Sequence, residues 1–196
     1  MTDVTGTFSF TPESEEKARA FVARYPEGRQ FSAVMPLLDV AQRQNGGWLS
    51  QAAMDCVAAY LDMPPIRVYE VATFYSMYQL KPVGKVHVQV CTTTPCWLRG
   101  SDEIVDTCKR VLGIGMGETT EDGMFTLNEV ECAGACVNAP MIQVGDDYYE
   151  DLDAARTEAL LEAFKRGDEV KAGPQNGRQT SAPDGGPTTL LEMGDG

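Results

Sequence analysis

The feature that most constrains this sequence is a set of two close cysteine pairs. Cys91 and Cys96 enclose four residues in the segment CTTTPC, and Cys132 and Cys136 enclose three residues in the segment CAGAC. Each pair lies among small residues and follows a stretch that is predicted to form a β-strand. Loops at the ends of adjacent strands can meet in space. A fold with those two strands side by side would therefore bring the pairs together.

The charge and the cysteine content exclude several classes of protein. With 29 acidic and 16 basic side chains, the chain has a formal charge of -13, which repels nucleic acids and anionic lipid headgroups. No apolar run approaches the roughly 18 residues that a membrane span needs. The segment MTDVTGTFSF resembles neither a secretory signal nor a transit peptide, so we expect a reducing cytoplasm. There, close cysteine pairs indicate metal or redox chemistry more often than disulfides.

Residues 1–80 are predicted to form an N-terminal four-helix bundle. Four segments have apolar residues at the i, i+3, i+4, i+7 spacing of amphipathic helices. They begin at Pro12, near residue 32, after Ser50 and at Pro64-Pro65. In the last segment, Tyr75 is predicted to lie on the apolar side with Val68, Val71 and Ala72. Short amphipathic helices cannot bury their apolar faces alone, so the four should pack together.

Residues 81–168 are predicted to form an α/β domain, because the apolar period changes from 3.6 to 2. The segment KVHVQV alternates valine with polar residues, and MFTLNEV, MIQVG and YYE are further strand candidates. The segments SDEIVDTCKRVLG and DAARTEALLEAFKRG are predicted helices that each end at a glycine. The order β-α-β-β-α predicts a small sheet covered by helices, close to a thioredoxin-like arrangement.

Residues 169–196 differ in composition from the rest of the chain. The segment GPQNGRQTSAPDGGPTTLLEMGDG is rich in glycine and proline and has no periodicity. Composition alone favours a disordered tail. The alternative is an extended C-terminal arm that lies on a partner.

Four interpretations of the cysteine pairs compete. Disulfides are disfavoured by a reducing compartment. An all-cysteine zinc site stays open, although such pairs usually enclose two residues. A thioredoxin-type redox pair needs C-x-x-C at a helix N-terminus, which neither pair offers. A [2Fe–2S] cluster needs two thiolates for each iron, and the small residues between Cys132 and Cys136 would let backbone N–H groups approach the sulfurs. The single histidine, His87, excludes a Rieske site, which requires two.

Three long segments carry a resemblance to a known family. They are CTTTPCWLRGSDEI, GETTEDGMFTLNEVECAGACVNAPMIQVGDDYYEDL and GGWLSQAAMDCVAAYLDMPPIRVYEVATFYSMY. They closely resemble the thioredoxin-like [2Fe–2S] subunit of respiratory complex I, the proton-translocating NADH:quinone oxidoreductase. The resemblance covers nearly the whole chain, and GPQNGRQTSAPDGG is similar to the C-terminal segment of the alphaproteobacterial and mitochondrial branch. The lack of a mitochondrial presequence favours a bacterial source.

The resemblance implies a ligand set, cofactors and partners. The four ligands of one [2Fe–2S] cluster would be Cys91, Cys96, Cys132 and Cys136, and this chain would hold no catalytic residue. FMN and NADH would bind only to the partner, the flavoprotein NADH-binding subunit, and the adjoining iron–sulfur subunit would be a second partner. This chain would accept or store one electron near the flavin. It would lie on the cytoplasmic side of the inner membrane without entering it, and its C-terminal arm would run over neighbouring subunits.

Two other functions stay open. The same module occurs as the diaphorase subunit of NAD-linked hydrogenases and formate dehydrogenases, although the C-terminal segment favours complex I. A zinc-stabilised adaptor domain is an alternative of a different class. Such a protein would be colourless, whereas a [2Fe–2S] protein is reddish-brown.

Other features have simpler interpretations. Cys56 and Cys108 lie near apolar faces of predicted helices and are expected in cores rather than as ligands. The segment GIGMG, residues 113–117, lacks the spacing of a dinucleotide fingerprint and is predicted to be a turn. Several aromatic residues could face a partner, but core packing is the prediction for each of Tyr69, Phe74, Tyr75 and Tyr78. The charge and the all-cysteine ligand set predict a reduction potential of about -400 mV.

Overall fold

The computed structural model describes residues 6–183, 185–186 and 189, and it contains two compact units, Met1–Val83 and Gly84–Gly196. Within the described residues, no helix combines the length and the apolar character that crossing a bilayer requires. The two units differ in class, because the first is helical and the second is built on a mixed β-sheet.

Helices of the first unit enclose one apolar core. They are α1 (Pro12–Val22), α2 (Val34–Gln44), α3 (Gln51–Tyr60) and α4 (Pro65–Phe74), with a 3-10 turn over Gln30–Ala33. Fully buried Leu37 and Leu38 of α2 pack with Val57 of α3 and Val68 of α4. The 3-10 turn explains why α2 begins slightly later than the sequence predicts.

Side-chain caps explain where two of these helices begin. The Thr11 hydroxyl accepts a hydrogen bond from the backbone N–H of Ser14 at 3.2 Å, and Pro12 occupies the first turn of α1. The Ser50 hydroxyl accepts one from the backbone N–H of Ala53 at 3.1 Å. Each hydroxyl satisfies an N–H group that has no partner within its helix.

The core-packing prediction for the four aromatic residues has a mixed outcome. Tyr78 is buried as predicted, and its hydroxyl donates to the backbone oxygen of Met35 at 2.9 Å. For Phe74 and Tyr75 the prediction is wrong, because their side chains are 79% and 40% exposed. Helix α4 ends at Phe74, so Tyr75 takes an extended conformation and leaves the apolar side of the helix. Tyr69 is half-buried, and its hydroxyl donates to Asp55.

The second unit contains a six-stranded mixed sheet. Its strands are β1 (Val86–Cys91), β2 (Glu118–Thr119), β3 (Phe125–Val130), β4 (Ile142–Val144), β5 (Asp147–Glu150) and β6 (Gly173–Pro174). Their spatial order is β2-β3-β1-β4-β5-β6. Strand β1 is parallel to β3 and β5 is parallel to β6, whereas the other neighbours are antiparallel.

Helices cover one face of this sheet. The helices of the second unit are α5 (Thr94–Leu98), α6 (Ser101–Leu112) and α7 (Ala154–Arg166), and a 3-10 turn spans Cys136–Asn138. Val88 and Leu127, which are neighbours in register on β1 and β3, pack in one core with Ile104 of α6 and Leu161 of α7. All four are almost fully buried. The alternation of valines in the sequence therefore marks the covered face, as expected for a half-buried strand.

Glycines permit a close backbone approach and an abrupt helix end in this unit. A Cβ atom on Gly84 would lie only 2.7 Å from the carbonyl carbon of Phe125, so a larger residue would force the chains apart. The Gly84 N–H donates to the Thr126 hydroxyl at 2.6 Å. Gly113 ends α6 in the left-handed conformation, and the Gly117 N–H donates to the Leu127 oxygen at 2.7 Å. The Glu118 N–H donates to the Gly115 oxygen at 3.3 Å, so a turn does lie in the segment predicted to form one, at residues 116–117.

Three short elements are not predicted from the sequence. Strands β2 and β6 have two residues each, too few to show a period. Helix α5 lies in the segment between Cys91 and Arg99, for which the sequence pattern predicts a loop. A signal for the helix existed, because Thr93 precedes it and Pro95 occupies its first turn.

Candidate metal centre

The register of two parallel strands brings the cysteine pairs to one edge of the sheet. Cys91 is the last residue of β1 and lies opposite Val130, the last residue of β3. Because parallel strands end at the same edge, the loops that follow them begin side by side. One loop continues into α5 with Cys96, and the other contains Cys132.

The two pairs differ in burial. Cys91 and Cys96 are each 2% exposed and form a small core with Ala139 and Met141. Cys132 and Cys136, by contrast, are exposed. One half of the site thus faces the protein interior and the other half faces solvent or a partner.

The sulfur atoms of the exposed pair are close, with the Sγ atoms of Cys132 and Cys136 3.6 Å apart. In the buried pair, interaction with the Cys91 thiol helps to raise the pKa of Cys96. Two thiolates that bind one tetrahedral metal ion at about 2.3 Å lie about 3.8 Å apart. The exposed pair therefore has a separation close to that needed to bind one metal ion.

The donor set matches what a binuclear iron–sulfur cluster requires. A binuclear cluster takes two thiolates for each iron, which matches two cysteine pairs. The residues present thus fit a [2Fe–2S] cluster.

Backbone and hydroxyl groups donate to the sulfurs. The Cys91 sulfur lies 3.4 Å from the Thr93 hydroxyl and accepts from the backbone N–H of Ala133. The Gly134 N–H and the Thr93 hydroxyl favour the thiolate of Cys132 and so lower its pKa. These donors stabilise thiolates, as a metal site requires.

The thiol pKa values reflect burial and these donors. Burial raises the pKa of Cys91, but the hydrogen bonds from Thr93 and Ala133 outweigh it and leave the pKa below its ordinary value. The pKa of Cys132 is lowered by the Gly134 N–H, then by Thr93 and Cys136. Burial and the hydrogen bond with Cys91 raise the pKa of Cys96 to about 12, and the hydrogen bond with Cys132 raises that of Cys136. One thiol of each pair therefore ionises more readily than the other.

Small residues and one tyrosine shape the loop after β3. Gly134 has a φ of +81°, in the left-handed region that favours glycine, and its N–H points to the Cys132 sulfur. The Tyr148 hydroxyl donates to the backbone oxygen of Ala133 at 2.9 Å. The tyrosine thereby ties the loop to β5. Neither Thr93 nor Tyr148 is predicted from the sequence to be a site residue. The position of Thr93 between two cysteines is the one signal that could have indicated it.

The other two cysteines lie outside this group. Cys108 is fully buried in the core beside Ile104, and burial raises its pKa to about 12. Cys56 belongs to α3 of the first unit, is half-buried, and has its pKa raised by burial. The expectation of a core position is confirmed for Cys108.

Large apolar side chains flank the site without being buried. Trp97 and Leu98, which directly follow Cys96, are 57% and 71% exposed. Val137, which directly follows Cys136, is 67% exposed. We call these three residues the apolar rim. Apolar surface of this size beside a functional site is typical of a protein interaction surface.

Comparisons with known proteins give matches over most of the chain. Residues 18–165 match the family described as thioredoxin-like [2Fe-2S] ferredoxin. A subunit of the NADH-quinone oxidoreductase of Rickettsia typhi is 57% identical over 158 residues, which cover 81% of this chain and 93% of that protein. The mitochondrial NADH dehydrogenase [ubiquinone] flavoprotein 2 of Dictyostelium discoideum is 54% identical over 185 residues, covering 94% of this chain and 75% of that protein.

A solved structure shares the fold. The crystal structure of NAD+-reducing [NiFe]-hydrogenase in the H2-reduced state aligns with a TM-score of 0.60 and 22% identity. The alignment covers 68% of this chain and 23% of that longer chain. The family match spans well over half of the chain and begins within α1. The chain therefore belongs to the thioredoxin-like [2Fe-2S] ferredoxin family.

Proposed function

We propose that this chain is the [2Fe–2S] electron-transfer subunit of the NADH-oxidising module of proton-translocating NADH:quinone oxidoreductase. The observation that carries the proposal is the meeting of two cysteine pairs at one edge of a sheet, in a chain of the [2Fe-2S] ferredoxin family. The Rickettsia typhi relative is named as a subunit of NADH-quinone oxidoreductase, and the Dictyostelium discoideum relative as a mitochondrial NADH dehydrogenase [ubiquinone] flavoprotein.

The proposed ligands of the cluster are Cys91, Cys96, Cys132 and Cys136. In this proposal Cys132 and Cys136, whose Sγ atoms lie 3.6 Å apart, would hold one iron, and Cys91 and Cys96 would hold the other. When bound, the cluster would supply one-electron storage. The chain itself stabilises negative charge on the sulfurs of Cys91 and Cys132. The groups that do so are the Thr93 hydroxyl and the N–H groups of Ala133 and Gly134.

In this proposal the part of the chain in the reaction is to take up and pass on one electron, without acting as an acid, a base or a nucleophile. Each added electron meets a chain of formal charge -13, which opposes reduction. The sulfur-directed hydrogen bonds act in the opposite sense, because they stabilise added negative charge. We expect a potential in the range of plant-type ferredoxins, about -400 mV.

Two partners follow from this function. FMN and NADH would bind to the flavoprotein NADH-binding subunit, since this sequence contains neither a dinucleotide fingerprint nor a P-loop. The adjoining iron–sulfur subunit would be the second partner. Two residues of the apolar rim directly follow Cys96 and the third directly follows Cys136, so a partner that docks on the rim could exchange electrons with the cluster. In the assembled complex the chain would lie on the cytoplasmic side of the inner membrane, without contact to nucleic acid.

In this proposal the three segments of the chain have different roles. Residues 1–80 would form the helical bundle, 81–168 the thioredoxin-like cluster domain and 169–196 the extended arm. Exposed apolar residues of the first unit, such as Ile66 and Phe74, would supply further partner contacts. The arm is expected to continue over neighbouring subunits.

Metal and sulfide analysis tests the proposal most directly. Protein purified without oxygen should contain about two iron atoms and two acid-labile sulfides per chain, and should show the electron paramagnetic resonance of a reduced [2Fe–2S] cluster. Zinc without sulfide would favour the adaptor alternative instead. Copurification with a quinone-reducing membrane assembly, rather than with a hydrogenase or formate dehydrogenase, would distinguish complex I from the related diaphorases.

A further inference from the structure

The described part of the C-terminal arm folds back onto its own unit. Gly173 and Pro174 form β6, which pairs in parallel with Tyr149 and Glu150 of β5. The Gln175 N–H extends this pairing by donating to the Glu150 oxygen at 2.9 Å. The arm therefore adds an edge strand to the sheet before it continues.

A buried ion pair follows this strand. The Arg178 Nε donates to Asp151 Oδ2 at 2.9 Å, and a second guanidinium nitrogen contacts the other carboxylate oxygen. The two side chains are only 10% and 6% exposed. Arg178 also donates to the backbone oxygens of Val137 at 3.2 Å and Ala182 at 3.3 Å. One guanidinium thus joins the end of β5, the arm and the turn that begins at Cys136.

Asn138 makes a second connection between the same three segments. Its Nδ2 donates to Glu150 Oε2 at 2.7 Å and to the backbone oxygen of Thr180 at 2.9 Å. The Asp151 N–H donates to the Asn138 backbone oxygen at 2.8 Å. The side chain is almost fully buried. Val137 and Asn138 directly follow Cys136. Val137 is therefore bonded to the arm, and Asn138 is bonded both to the arm and to the end of β5.

The hydrogen bonds within the turn itself are local. The Asn138 N–H donates to the Ala135 oxygen at 2.9 Å, and the Ala139 N–H donates to the Cys136 oxygen at 3.4 Å. Local hydrogen bonds alone hold a short surface turn weakly. Cys136 is exposed, so burial of its own side chain does not hold the turn closed.

We propose that Arg178 is a positioning residue that holds the Cys136 turn in place, and that it thereby slows loss of the [2Fe–2S] cluster. The inference rests on the proposed function, because it takes Cys136 as a ligand. Replacing a residue that orients a metal ligand without binding the metal itself typically lowers metal affinity by about 10- to 100-fold. Replacement of Arg178 should therefore speed cluster loss by about tenfold or more.

The test compares variants of the full-length chain loaded with the cluster. Arg178→Gln removes the guanidinium but leaves Asp151 buried. The double variant Arg178→Gln with Asp151→Asn removes both charges, and it keeps the test valid if the single variant fails to fold. Arg166→Gln is the matched control, since Arg166 pairs with Asp168 in an exposed ion pair away from the turn's hydrogen bonds. The rate of bleaching by an iron chelator is measured by visible absorbance.

Hydrogen exchange of the metal-free chain provides a second readout. We expect faster exchange in residues 131–141 of both Arg178 variants and unchanged exchange in α6. Bleaching rates equal to wild type in both variants would overturn the proposal, as would unchanged exchange in residues 131–141. If wild-type protein held no sulfide-containing cluster, the proposed function would fail, and with it the cluster part of this inference. The exchange measurement would still decide whether Arg178 holds the turn.

Discussion

The Thr93 hydroxyl lies 3.4 Å from the Cys91 sulfur, and it also lowers the pKa of Cys132. One side chain therefore acts on a cysteine of each pair, on loops that follow two different strands. Such a hydroxyl stabilises negative charge on both sulfurs.

Thr93→Val should make the reduction potential more negative, because the reduced cluster carries the larger negative charge and loses a donor. If the hydrogen bonds favour the reduced state by about 1 kcal/mol, the shift is about 40 mV. A redox titration followed by electron paramagnetic resonance measures it. Thr94→Val is the matched control, since Thr94 is exposed at the start of α5. An equal shift in both variants would contradict a specific role for Thr93.

Replacement of individual cysteines should separate ligands from core residues. Cys96→Ser and Cys136→Ser are expected to change the visible spectrum and to lower the sulfide content, because each removes one of four thiolates. Cys56→Ser should leave both unchanged, since Cys56 belongs to the helical unit. Spectra of the purified variants, with iron and sulfide analysis, provide the measurement. Equal loss at Cys56 would mean that the ligand set is wrong.

Truncation of the apolar rim should weaken partner binding without affecting the cluster. Leu98→Ala is expected to lower affinity for the flavoprotein subunit by about 30-fold, the effect of losing a contact of about 2 kcal/mol. The Leu98 side chain is 71% exposed in this chain, so the fold should tolerate the change. Lys109→Ala on the exposed side of α6 serves as the control. Titration binding measurements check the result, and unchanged affinity for Leu98→Ala would exclude the rim from the interface.

The stability of the protein should fall as the pH falls below about 6.5, in part because of His87. Burial lowers the pKa of His87 from its ordinary value of 6.5, so the folded chain keeps the imidazole neutral. Below that ordinary value the unfolded chain binds a proton that the folded chain does not, and unfolding becomes easier. The stabilising contribution is therefore fully present above pH 6.5 and decreases toward acid pH.

Because the chain has a single histidine, one substitution isolates this effect. The midpoint of thermal unfolding should drop between about pH 7.5 and about pH 5.5 in wild type, and drop less in His87→Gln. The carboxylates are the same in wild type and in His87→Gln, so their contribution to the drop in the unfolding midpoint cancels when the two proteins are compared. The same drop in both would show that His87 makes no contribution.

Much of this fold could be predicted from the sequence because its signals are local. Apolar residues at a period of 3.6 marked α1 to α4, α6 and α7, and the alternating valines of β1 marked the covered face of the sheet. Glycine after Leu112 and after Arg166 marked the ends of two helices. Tyr75 shows where such patterns fail, since periodicity does not reveal that a helix ends one residue earlier.

The residue types and their spacing indicate the chemistry of this protein, whereas the geometry of its site depends on how the strands are arranged. Residue types and spacing were enough to indicate four thiolates in two pairs. Only the order of the strands placed Cys91 opposite Val130, buried one pair and exposed the other. Arg178 reaches Asp151 across 27 positions of sequence, and Thr93 reaches Cys132 from another loop. Such contacts leave no local pattern, because they depend on which strands become neighbours rather than on which residues are adjacent in the chain.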